Sequence, residues 1–147
     1  MGKTLLTIAG ILSFAIALLH LVIIFIGTPA YRYFGAGEVL AQQAESGSWL
    51  PAILTLAIAI VFTVFGLYAW SGAGRIRRLP FLLTGLLVIG GIYTLRGLSV
   101  IAQFAAILKG ADTVRWAVFS LVSLAIGLVY LLATATNWRE LKVRPPT

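Results

Sequence analysis

Four long apolar runs, separated by short polar stretches, dominate the chain. The first is 5–26, the second 49–70, the third 80–103 and the fourth 116–138. At 1.5 Å rise per residue each makes about 33 Å of helix or slightly more, enough to cross a hydrocarbon layer of roughly 30 Å. The pattern predicts an all-α fold: a single domain over 1–147, an integral membrane four-helix bundle running up-down-up-down.

Punctuation between the runs fits this division. Residues 28–48 form the longest loop, aromatic and glycine-rich at first, then carrying helix formers from Val39 to Glu45 that suit a short interfacial helix. Pro51 stands in the first turn of the second run, where its missing N–H is harmless. Residues 71–79 are a tight basic loop, and Pro80 opens the third run. Residues 139–147 form a basic tail ending in Pro145-Pro146-Thr147. The first run exceeds the 7–15 apolar residues of a signal peptide's core, so it reads as an uncleaved anchor.

Composition agrees. Of 147 residues 61% are hydrophobic and 10% charged, against about 25% charged in a soluble domain. All four tryptophans, Trp49, Trp70, Trp116 and Trp138, fall at ends of runs, where aromatic rings favour the headgroup boundary.

Charge then sets the orientation. With four crossings, Lys3, Arg75, Arg77, Arg78, Arg139, Lys142 and Arg144 fall on one side, and Arg32, Lys109 and Arg115 on the other. The excess of Lys and Arg predicts both termini in the cytoplasm and the loop 28–48 outside, in a bacterial inner (plasma) membrane. The net charge of +7 therefore reads as topology signal and lipid contact, not nucleic-acid binding; Arg75, Arg77 and Arg78 are the candidate headgroup contacts.

Candidate chemistry is sparse. There is no cysteine, which excludes disulfides, thiolate catalysis and Cys-ligated metal. The one histidine, His20, excludes a multi-histidine metal site within one chain, and no cofactor motif is present. Gly2-Lys3-Thr4 lacks the glycines and strand of a phosphate-binding loop, and Gly35-x-Gly37 reads as a turn. What stands out is Arg96, a full charge inside the third apolar run; a cation at that depth needs a partner or a wet cavity.

Small and polar residues recur at helical spacing: Ala9, Ser13, Ala17 and His20 in the first run; Thr55, Ala59, Thr63 and Gly66 in the second; Tyr93, Arg96 and Gln103 beside Gly97 in the third; Ser120, Ser123 and Gly127 in the fourth. Such stripes allow close helix approach in lipid. They predict a polar pocket under the outer face, built around Arg96 and His20 with Tyr93 and Gln103, and covered by Tyr31, Arg32 and Glu38. Glu38 is expected to pair with Arg32 or Arg96.

A small protein binding a lipid or other amphiphile, or docking on a larger membrane complex, follows from one buried cation without a catalytic set. A transporter requires homo-oligomers, because four short spans enclose little, and a polar path that the apolar cytoplasmic half does not supply. A membrane enzyme acting on an anionic amphiphile would use His20 or Glu38 as base and Arg96 as anchor, without the nucleophile, metal set or paired acids such chemistry needs.

Overall fold

The structure is a computed structural model that describes residues 1–111 and 113–142. Asp112 and the tail end 143–147, with Arg144 and Pro145-Pro146, lie outside the described residues. Among those described there is no strand, and the helices are α1 (Gly2–Ile26), α2 (Thr28–Phe34), α3 (Glu38–Glu45), α4 (Leu50–Gly72), α5 (Leu82–Gly97), α6 (Ser99–Leu108), α7 (Val114–Thr136) and α8 (Trp138–Lys142). Four helical stretches are long and apolar enough to cross a membrane: Gly2–Ile26, Leu50–Gly72, Leu82–Leu108 and Val114–Thr136.

Their ends differ from the sequence expectation for local reasons. Pro80 does not open the third helix, because Phe81 takes the left-handed conformation (φ 50°, ψ 34°), which no α-helix continues, and helix begins at Leu82. The same stretch divides at Leu98, where the Ile101 amide donates to the Leu98 carbonyl across a three-residue turn. The loop after α1 holds two short helices where one was expected. Pro29 sits in the first turn of α2. Gly35 caps that helix in the left-handed region (φ 79°), with its amide donating to the Tyr31 carbonyl.

The chain forms two compact units, one of residues Ile11–Gly66 and one of Met1–Gly10 with Leu67–Thr147. In the first, α1 and α4 meet where the rings of His20 and Phe62 lie 5.1 Å apart and where Phe14 packs on Gly66. Ser13, Ala17, Thr55 and Ala59 are all buried. Phe14 lies so close to Gly66 that a Cβ there would fall 2.5 Å from its ring. Thr63, expected on the same face, is exposed and donates to the Ala59 carbonyl instead. A small cluster of Ile23, Ala30, Tyr31 and Ala41, covered by Phe34 and Ala44, holds α2 and α3.

In the second unit α5 packs along α7. Gly90 meets Tyr130 and Leu131, Gly127 meets the Thr94 amide, and Gly97 meets Leu124. As one number rises the other falls, so these two helices run antiparallel. Tyr93 and Tyr130, both buried, stack between them at 5.7 Å. Glycine is what permits this approach, since any Cβ at these contacts collides with the neighbour. Many large aliphatic and aromatic side chains lie on the surface: Leu18, Phe25, Ile53, Leu95, Ile101 and Leu132 are all more than half exposed.

Candidate functional site

The predicted site residues divide between the two units. His20, Tyr31, Arg32 and Glu38 belong to Ile11–Gly66; Tyr93, Arg96, Gln103, Arg75, Arg77 and Arg78 belong to the other.

In the first unit His20 is half-buried on α1. Its Nδ1 lies 2.8 Å from the Ile16 carbonyl oxygen, which makes that nitrogen the donor, and its ring lies 5.1 Å from that of Phe62. Both contacts belong to helix packing. Tyr31 is buried in the α2–α3 cluster, and its hydroxyl finds no hydrogen-bond partner among the described residues.

Arg32 and Glu38 do come together. The Arg32 guanidinium donates to Glu38 through Nε and Nη2 and to Glu45 through Nη2 at 3.0 Å, tying the end of α2 to both ends of α3. Gly35 and Gly37, both at positive φ, fold the chain back so that this clasp can close. The hydrogen bond to Glu38, with that to Glu45 behind it, pushes the Arg32 pKa further up. Bonding to Arg32 holds the Glu38 carboxyl below its usual range. Two carboxylates thus occupy Arg32.

In the second unit Tyr93 is buried against Tyr130, but Arg96 is exposed. Its neighbours Ile92, Leu95, Leu98 and Ile101 are exposed aliphatics. Along the helix Arg96 stands about 21 Å from Leu82 and about 18 Å from Leu108 at 1.5 Å per residue. It has no hydrogen bond or ion pair among the described residues. Gln103 is half-buried on α6. Its backbone carbonyl accepts from Thr113 at 3.0 Å, while its side-chain Oε1 is buried without a partner among the described residues.

Two of the three loop arginines fasten the end of this unit where α1 begins. Arg75 donates from Nε to the Thr7 hydroxyl at 3.1 Å, and Arg78 donates to the Glu140 and Leu141 carbonyls of α8. The Ser71 hydroxyl donates to the Arg77 carbonyl and accepts from the Leu79 amide, which fixes the loop's course. Arg77 itself is exposed.

Sequence reasoning missed two partners here. Lys3 pairs with Glu140 at 2.7 Å, and Arg139 lines an open cleft beside them. A signal existed: Glu140 is the only acid on the basic side of the predicted topology, so the cations there had one carboxylate to meet. No protein-family model matches the chain, and no match is found among curated proteins or solved structures.

Proposed function

We propose that this protein crosses a bacterial inner membrane four times with both termini in the cytoplasm, and that it holds a lipid-like anion or docks on a larger membrane complex. The surface supports insertion. Many Leu, Ile, Val and Phe side chains of the four long helices are exposed, while glycines permit the close approach of α5 to α7 and of Phe14 on α1 to α4. Water would drive the large groups inward; lipid does not. The bias of Lys and Arg toward the side with both termini supports the orientation.

Arg96 carries the functional reading. An exposed guanidinium on an aliphatic face, with no partner among the described residues, costs several kcal/mol in hydrocarbon unless an anion from outside the chain meets it. A phosphate or carboxylate of an amphiphile, or of a neighbouring membrane protein, fits. His20 enters as a packing residue, and Tyr93 as the rigid wall from which Arg96 projects.

Native mass spectrometry of the gently extracted protein, alongside Arg96→Ala, tests this. A discrete bound amphiphile or co-extracted membrane protein, present with the wild type and lost from the variant, is the expected result. Identical spectra for wild type, Arg96→Ala and Arg96→Leu would contradict it and leave Arg96 as a side chain that merely reaches the interface.

A further inference from the structure

The cleft beside the Lys3–Glu140 pair has chemistry of its own. It is open, about 640 Å³, and lined among others by Lys3, Arg78, Arg139 and Glu140 over an apolar floor of Leu82 and Leu141. Both leucines are buried. Four separate segments build it: the start of α1, the end of α4 with its basic loop, the start of α5, and α8.

The charges in the cleft are not equally committed. Lys3 is neutralised by Glu140. Arg78 spends donors on two α8 carbonyls, and so holds α8 in place. Arg139 is exposed and has neither hydrogen bond nor ion pair among the described residues. Three cations against one acid leave a net charge of +2 over a greasy floor. A second hollow of about 560 Å³ shares Arg78, Leu82 and Leu141 and continues past Pro80 and Leu83 along the start of α5. Phosphate at Arg139 and an apolar chain laid along Leu83 and the exposed Phe81 satisfy both characters together. A free phosphate leaves these apolar side chains unused, and a choline head would set its own cation against Arg139.

We propose that this cleft seats the phosphate of an anionic phospholipid from the leaflet facing the chain termini, with Arg139 as its principal contact and Arg78 as a second donor. The proposal rests on the membrane reading above but not on the role of Arg96.

Proteoliposomes of equal parts phosphatidylglycerol and phosphatidylcholine, floated on a density gradient and then taken into native mass spectrometry, test it. The expected result is preferential retention of phosphatidylglycerol. Arg139→Gln lowers it about fivefold, as loss of one cation near an anionic surface predicts, and Arg139→Lys retains it. Equal retention of the two lipids, or retention indifferent to Arg139→Gln, overturns the proposal. Complete displacement by millimolar inorganic phosphate overturns the lipid assignment in favour of the free anion. Protein left in the aqueous fraction removes the membrane reading itself, a failure visible before any lipid is weighed.

Discussion

Gly97 lies against the backbone of Leu124: a Cβ built on Gly97 falls 2.5 Å from both the Leu124 nitrogen and its Cα. Backbone cannot swing aside as a side-chain tip can. Gly97→Ala is therefore expected to push α5 from α7 and to destabilise by about 1–3 kcal/mol, the usual range for overpacking. On the same helix, a Cβ built on Gly91 meets nothing within 4 Å, so Gly91→Ala should be neutral or slightly stabilising. Thermal unfolding of the two variants in the same detergent checks the contrast; equal losses would mean that close approach at Gly97 is unimportant.

The Arg32 clasp gives a pH dependence. Glu38 has its pKa lowered in the folded protein by the bond to Arg32. A depressed carboxylate contributes stability above its unfolded pKa and loses it as pH falls through the folded value. The clasp should hold at neutral pH and open in acid, only after ordinary exposed carboxylates have begun to protonate. Amide exchange of α3 followed against pH measures this, and Arg32→Gln should show fast exchange at every pH. Because the groups are largely exposed, the effect is on local order of α2 and α3, not on the whole fold.

Lys3 and Glu140 make a short contact, yet their side chains are 60% and 63% exposed. Pairs of that kind contribute about 0–1 kcal/mol. Lys3→Gln should leave thermal stability nearly unchanged. Leu141, buried at 4% exposure, is the stronger anchor of α8, so Leu141→Ala should release that helix to proteolysis while Lys3→Gln does not.

The helices and their small-residue faces were legible because both depend on local composition: apolar runs of fixed length, and Ala, Ser or Gly at helical spacing. The direction of Arg96 was not. Reading Tyr93, Arg96 and Gln103 as one stripe follows polarity, whereas contact follows size. The face of α5 that meets α7 runs through Gly90, Tyr93 and Gly97, and Arg96 stands about 100° round the helix from Gly97. The division at Leu98 further separates the register of Gln103 from that of Arg96. Nor did any glycine flag the left-handed turn at Phe81, where an aromatic residue takes a conformation usually left to Gly or Asn. The Lys3–Glu140 pair joins the two ends of the chain, a separation that local pattern does not reach.

Four crossings are the premise for both Arg96 and the cleft, and the chain's lack of cysteine makes them directly measurable. Single cysteines at Ser46, Ala73 and Ala111 place one label in each connection between the long helices. In intact cells with a membrane-impermeant maleimide, Ser46→Cys and Ala111→Cys should label, and Ala73→Cys should label only after the cells are opened. Labelling of Ala73→Cys from outside, or of none of the three, would contradict four crossings with both termini in the cytoplasm.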